Sequence, residues 1–401
     1  MNLGKPSIHN LPVNDITSLG IVARQMQQEA EARGESLPPP ARLHVGEPSF
    51  RTPEHIRQAA IESIQHEALT YGPPAGWPWL RELLAEKIAR INGYAVTPQH
   101  VAIGMGGTGA LQAALLATVS AGDEVLVPDP HWPHYTIQLA SCGATRVPYP
   151  LDPQAGWLPD IAQLERLVTS RTRLLIINSP GNPTGAVFPP QLVADLLDFA
   201  RRHDLVLLSD ECYDEIVFEG RHTSPASLLS FDEFNEGRVM CVYSFSKSYA
   251  MTGWRIGYLT CGAELVKSIT SVLDGCNTNI STAIQRAAAA ALSGSQACVG
   301  EMRDAYRQRR DRAVQLLQEH GRYRYTPHGA FYLLIDITSP DQPQRSSRQF
   351  ALDLLRERTI TAASGTSFGS VADHYVRISL AASEEEIERG VREICLFAQN
   401  G

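Results

Sequence analysis

Between residues 53 and 290, short apolar runs alternate with helix-like stretches, and this alternation restricts the fold more than any other feature of the chain. It predicts strands at Val101–Ile103, Glu124–Val127, Arg173–Ile177, Leu205–Ser209, Arg238–Tyr243 and Arg255–Thr260. Helices are expected at Trp79–Ile91, Leu111–Val119 and Gln191–Arg202. Such a succession implies a mostly parallel sheet covered by helices on both faces. The pattern differs at the two ends. The first fifty residues open irregularly, continue in a polar helix around Ser18 to Arg33, and reach Pro38-Pro39-Pro40. Beyond residue 290 come a long polar helix through Glu301–Gln318 and strands at Phe331–Ile335 and Tyr375–Leu380, which flank a helix around Gln349–Glu357. Ser339–Arg348 reads as a surface loop. A last helix opens at Ser383-Glu384-Glu385-Glu386, where the acidic run fits a capping box and a charged first turn.

The chain has 401 residues and is 43% hydrophobic, enough for a large core and two or three domains. A formal charge of -8 without any basic tract argues against nucleic acid and against a membrane surface. No apolar run has transmembrane length, and the stretch MNLGKPSIHNLPVND lacks the apolar segment of a signal peptide. The seven cysteines are scattered, several of them (Cys241, Cys261, Cys395) in apolar segments, as expected of reduced, buried thiols in the cytoplasm.

Several short motifs compete for the chemistry. Gly104, Gly106 and Gly109 spell G-x-G-x-x-G, with Asp129 about 20 residues on, as a dinucleotide-binding turn requires. Ser244-Phe245-Ser246-Lys247 matches the S-x-x-K of penicillin-binding enzymes, but their S-D-N and K-T-G are missing. Gly365-Thr366-Ser367-Phe368-Gly369 matches the hydrolase elbow G-x-S-x-G, but the residues after it read as loop rather than helix. His131 and His134 show no third ligand at a metal-site spacing, so no metal is expected there, only a turn with two polar histidines.

A wider constellation decides among these. Lys247 follows one predicted strand, with Arg255 eight residues later. Asp210 ends another strand, with Tyr213 three residues on. Asn182 sits in the turn N-P-T-G after a third, and Trp132 lies in PDPHWPHY after a fourth. Ligands of open parallel sheets bind at the carboxyl ends of the strands. Singly, each residue has an ordinary explanation: a solvated lysine, a turn, a core tryptophan, a helix cap. Jointly, pyridoxal 5'-phosphate accounts for them all. It needs a lysine amine for its aldehyde and a carboxylate facing its pyridine nitrogen. Tyr213 and Asn182 can donate to its ring oxygen, and Trp132 can stack on its ring. Arg255, Ser244 and the Gly107-Thr108 end of the glycine loop can hold its phosphate.

The chain resembles the class I pyridoxal-phosphate aminotransferases of fold type I, the aspartate aminotransferase superfamily. The likeness extends from LHVGEPSF through YGPPAGWPWLRE, GGTGAL, PHWPHY, NSPGNPTG, SDECY, SFSKSYAMTGWRIGY and HGAFYLL to YVRISLA. It implies a Schiff base at Lys247, with Asp210 on the ring nitrogen and Tyr213 and Asn182 on the ring oxygen. Trp132 would stack, and Ser244, Arg255, Gly107 and Thr108 would hold the phosphate. It also implies a homodimer in which Tyr71 reaches the other subunit's phosphate, and an Arg377 that pairs with the substrate α-carboxylate beside Gly46 and Asn182. The position three after Trp132 is Tyr135, where some members carry histidine, which leaves open what orients Asp210. The implied fold is α/β: a large domain, 51–290, with a mostly parallel sheet of the seven-stranded type, and a smaller α/β domain from both chain ends, 1–50 and 291–401. The implied reaction moves an amino group between an L-amino acid and a 2-oxo acid. A β- or γ-eliminating lyase of the same fold would use the same motifs, whereas a nicotinamide dehydrogenase leaves Lys247 and Arg255 without a role. For a dicarboxylate substrate a second cation is wanted beside Arg377, and the glycine-loop lysine of some aspartate-using relatives is Thr108 here.

Overall fold

The computed structural model describes residues 15–400, so the irregular opening expected before residue 15 lies outside the described residues. Strands are numbered in chain order, β1 being the pair Ala41–Arg42. The main sheet contains β2 (Val101–Met105), β3 (Glu124–Asp129), β4 (Thr145–Asp152), β5 (Leu158–Pro159), β6 (Thr172–Asn178), β7 (Val206–Asp210), β8 (Val239–Ser244) and β9 (Ile256–Thr260). Their order is β2-β9-β8-β7-β6-β3-β4-β5. From β8 through β7, β6 and β3 to β4 all neighbours are parallel. Only β9, antiparallel to both β8 and β2, and the two-residue edge strand β5 depart from that direction. The sheet is therefore of the expected seven-stranded kind, extended by a short eighth strand.

Side-chain alternation explains why the strands read as continuous apolar runs. Leu126, Leu175, Ile177, Leu207 and Cys241 pack into a core on one face. Their chain neighbours Val125, Val127, Leu174, Ile176, Leu208 and Met240 pack into another on the opposite face. A sheet buried on both sides leaves no polar phase in the pattern. Each such side chain taken fully out of water contributes about 1.5–3 kcal/mol.

Some boundaries differ from the sequence reading for identifiable reasons. β4 escaped notice because Pro148 and Pro150 interrupt it and much of it is half-exposed, which a strand near a sheet edge tolerates. The helix expected at Leu111–Val119 begins at Gly106 and runs to Thr118, because its first turn is made of the glycine loop itself and carries no apolar period. The helix predicted at Trp79–Ile91 is α-helical over Pro78–Lys87, widens at Ile88–Asn92, and ends at left-handed Gly93. Helices Glu54–His66, Ala263–Asn277 and Thr282–Ser293 had no counterpart in the sequence reading.

Both ends of the described chain meet in a second assembly. Strands β10 (Tyr332–Asp336), β13 (Tyr375–Ser379) and β12 (Ala363–Ser364) form an antiparallel sheet in the order β10-β13-β12. β1 pairs in parallel with β11 (Ile360–Thr361), which ties residue 41 to residue 360. Helices Asp15–Ala32, Ala297–Glu319, Ser347–Arg358 and Glu384–Asn400 accompany them. The last helix has the expected capping box, Ser383 N donating to Glu386 Oε2 at 3.1 Å and Glu386 N to Ser383 Oγ at 3.2 Å. The core of this assembly contains Leu43, Tyr306, Phe331, Leu333, Ile378 and Ile394, and it takes in Tyr213 and Ile216 from the middle of the chain.

One close approach seats the glycine-loop helix on the sheet. A Cβ at Gly257 in β9 would lie 2.4 Å from Gly107 N and 2.7 Å from Tyr243 O, both backbone atoms that cannot swing away. Gly257→Ala is therefore expected to lower stability by about 1–3 kcal/mol, read as a shifted urea midpoint. A midpoint equal to that of the parent would mean that the helix is not held there.

Candidate active site

The parallel strands β8, β7, β6 and β3 deliver their carboxyl ends to one edge, and there a cavity of about 290 Å³ opens between the two assemblies. Lys247, Asp210, Tyr213, Asn182 and Trp132 line it from the main sheet, as do Ser244, Arg255, Gly107 and Thr108. Gly46 and Arg377 line it from the chain ends. Of the residues assigned to coenzyme or substrate in the sequence, Tyr71 alone lies elsewhere, 85% exposed on the surface.

Lys247 sits in a single helical turn, Phe245–Ser248, that follows β8. Its Nζ donates to Gly46 O at 2.7 Å and lies 5.6 Å from the Phe331 ring, so the amine is held between the two assemblies beside aromatic surface. Asp210 is the last residue of β7 and is buried. Its Oδ2 accepts a 2.6 Å hydrogen bond from the Tyr135 hydroxyl, and its Oδ1 accepts from Cys212 N at 3.2 Å. Burial pushes the carboxyl above its usual range, against the opposing pull of these donors. Tyr135 is wholly buried, and burial followed by the adjacent Asp210 charge raises its phenol well above the ordinary value, so it remains a donor. The residue that stands where some relatives carry histidine therefore orients the carboxylate itself.

A chain of amides crosses the floor of the cavity. Asn178 Nδ2 donates to Asp210 O at 3.0 Å, and its Oδ1 accepts from Asn182 N at 2.8 Å. Asn182 Oδ1 in turn accepts from Arg377 Nη1 at 3.1 Å, which leaves the Asn182 amide group free to donate into the cavity. Arg377, buried in β13, also donates through Nη2 to His44 O at 2.5 Å. Its guanidinium contacts the rings of Tyr332 and Phe368 at 4.3 and 4.8 Å. Its buried Nε has no acceptor among the described residues. His44 itself stays neutral, lowered to about 4 by burial and then by Arg377 and Arg42.

At the other end lie the helix N-terminus at Gly106, the Ser244 hydroxyl and Arg255. Among the described residues no side chain caps that helix, so the amides of its first turn are available to an anion. Ser244 Oγ accepts from Ser246 N at 3.1 Å and keeps its own proton to donate. Arg255 is held in a left-handed backbone conformation, φ +53°, and anchors one Nη on Thr252 O at 2.9 Å.

The sequence assigned no site role to seven lining residues: Thr17, Val45, Asn178, Cys212, Ser246, Tyr332 and His134. Tyr332 bonds hydroxyl to hydroxyl with Tyr213 at 2.9 Å. Cys212 and Ser246 adjoin residues that were chosen, and only their chain neighbourhood could have flagged them. His134 corrects the expectation of two polar histidines in a turn. It opens helix His134–Cys142 and stacks on Trp132, with ring centroids 4.4 Å apart. His131 is buried, bonds Thr136 Oγ1 at 2.8 Å, and is depressed to about 3, chiefly by burial. Among the described residues no group of three or more His, Cys, Asp or Glu side chains is arranged to hold a metal ion. Asp129, the acid that a dinucleotide site would need for a ribose, is already engaged by Ser370 and Val371.

The sequence model of "Aminotransferase class I and II" matches residues 39–394. The chain is 38% identical to the aspartate/prephenate aminotransferase of Thermus thermophilus, over 87% of this chain and 88% of that one. It is 34% identical to an arginine–pyruvate transaminase of Pseudomonas aeruginosa, over 94% of this chain and 95% of the relative. The structure of the Thermus thermophilus aspartate aminotransferase with maleate superposes with a TM-score of 0.90 at 34% identity, covering 99% of this chain and 100% of that one. Members of this family are generally pyridoxal-phosphate-dependent. The chain is thus a transaminase, and it belongs to the class I and II aminotransferases.

Proposed function

We propose that this transaminase binds pyridoxal 5'-phosphate in the cavity, joined to Lys247, and moves an amino group between an L-amino acid and a 2-oxo acid. The observation that carries the reading is Asp210: a buried carboxylate, raised by burial, for which no ion pair occurs among the described residues. Keeping a charge there is costly unless a cation arrives, and a protonated pyridine nitrogen is such a cation. The remaining donors fit the same group. Free helix amides, Ser244 and Arg255 match a phosphate dianion, and the unpaired Nε of Arg377 awaits a carboxylate.

When bound, the coenzyme supplies an aldehyde that takes up the amino group and a protonated ring that absorbs the electron pair left at the substrate's α-carbon. The chain does the rest. Arg377 pairs with the substrate α-carboxylate and, with Gly46 and Asn182, fixes which bond faces Lys247. The amine of Lys247, which lines the cavity, would take up the proton from the substrate α-carbon at its Nζ. Asp210, held by Tyr135, keeps the proton on the pyridine nitrogen. Tyr213 and Asn182 would donate to the ring oxygen, and Trp132 would stack on the ring.

The reading extends to the assembly. We take the enzyme as a homodimer in which Tyr71, exposed on its own chain, reaches the phosphate in the partner subunit. We take residues 51–290 as the coenzyme domain and residues 1–50 with 291–401 as the small domain. A reducing, cytoplasmic setting is supported by the seven cysteines, none of which is paired. No helix among the described residues is long and apolar enough to cross a membrane.

Two outcomes follow. Borohydride reduction of the coenzyme-loaded protein should fix the label on Lys247, and Lys247→Ala should bind coenzyme without turnover; a label mapped to any other lysine overturns the assignment. Asp210→Asn should cost about 10²–10³-fold in rate while the coenzyme-free protein becomes at least as heat-stable as the parent at neutral pH. The sign follows from the raised carboxyl: its ionised form costs stability above its folded pKa, so the asparagine's advantage fades as pH falls through that pKa toward the ordinary carboxylate range. Near-normal turnover in this variant would return Asp210 to a structural role.

A further inference from the structure

Asp129 and the Gly365–Gly369 segment each matched a motif that the chemistry does not use. In the folded chain they meet. Asp129 ends β3, three residues before Trp132. Its Oδ2 accepts from Ser370 N at 3.1 Å and from Ser370 Oγ at 2.8 Å, and its Oδ1 accepts from Val371 N at 3.2 Å. Two residues on, His131 N donates to Phe368 O at 2.7 Å. The loop after β3 therefore grips residues 368, 370 and 371 of a loop more than two hundred residues away. Gly369 lies between, at φ +141°, and a Cβ there would stand 1.9 Å from Asp129 Oδ1. No side chain fits at 369 while the carboxylate holds its place.

What this grip holds is a ring that packs against the arginine of the substrate site. Phe368 is wholly buried, and its ring contacts the Arg377 guanidinium at 4.8 Å, as Tyr332 does at 4.3 Å. An arginine that meets a carboxylate as a fork depends on the plane of its guanidinium, and flat rings against it fix that plane. Asp129 does not line the cavity. We propose that Asp129 is a positioning residue for substrate binding: by anchoring the 368–371 loop it sets Phe368, and through Phe368 the orientation of Arg377. The inference rests on the reading of Arg377 as the carboxylate ligand. Its effect belongs to the affinity for substrate, because Asp129 does not line the cavity assigned to the coenzyme and the reacting atoms.

Steady-state kinetics on Asp129→Ala, Asp129→Asn, Ser370→Ala and Arg377→Lys, with coenzyme affinity measured by absorbance titration, test it. Asp129→Ala should raise KM for the amino donor and for the 2-oxo acid about tenfold, as expected for the loss of charge-assisted hydrogen bonds, with kcat and coenzyme affinity little changed. Asp129→Asn and Ser370→Ala should shift KM less, in the same direction, and they carry the test if the alanine variant does not fold. In the Asp129→Ala, Arg377→Lys double variant the two KM effects should combine to less than their product. A raised KM in Arg377→Lys beside an unchanged KM in the Asp129 and Ser370 variants would overturn the proposal alone. An unchanged KM in Arg377→Lys would overturn the carboxylate reading beneath it. A fall in kcat or coenzyme affinity without a change in KM would place Asp129 with the coenzyme instead, against the proposal.

Discussion

Four neighbouring strands that run the same way must end on the same side. In this chain the order β8-β7-β6-β3 is parallel throughout, and everything chemical depends on that. Lys247, Asp210, Asn182 and Trp132 come from stretches of chain far apart in sequence, yet each need only follow its own strand to arrive at one edge. β9, reversed, starts at this edge and brings Arg255 with it, while β2 ends there and releases the helix that begins at Gly106. The apolar alternation that buries both faces of the sheet thus also sets the layer in which the polar residues meet.

The second constraint is the joint between the two assemblies. Polar contacts that cross it are costly to bury and become favourable only when fully partnered. Lys247 reaches Gly46, Tyr213 reaches Tyr332, and Asn182 reaches Arg377, which continues to the carbonyl of His44. Asp129 adds a further crossing on the far side of Trp132. The groups assigned to the coenzyme and those assigned to the substrate carboxylate are therefore linked through hydrogen bonds.

Most strands of the sheet, three of its helices and most of the lining residues were legible because each has a local signature: an apolar run, a turn after it, a polar residue at the turn. What escaped has none. β4 is broken by prolines near an edge, and the helix at Gly106 starts in residues of poor helix propensity. The hydroxyl that holds Asp210 belongs to Tyr135, seventy-five positions away; the family likeness drew attention to that position, but no local pattern shows that its tyrosine makes the bond. Nor does any local pattern pair Asp129 with Ser370, separated by 241 positions. Asp129 read as the acid of a dinucleotide site because spacing along the chain carries no information about which distant loop will claim a carboxylate.

The account stands most directly on a single half-reaction. Protein reconstituted with pyridoxal phosphate and mixed with an L-amino acid, with no oxo acid present, should lose the absorbance of the lysine-bound coenzyme and release one equivalent of 2-oxo acid per subunit, then stop. Adding a 2-oxo acid should restore the absorbance and yield a new amino acid. Continuous release of oxo acid together with ammonia, or no spectral change with any amino acid, would contradict it.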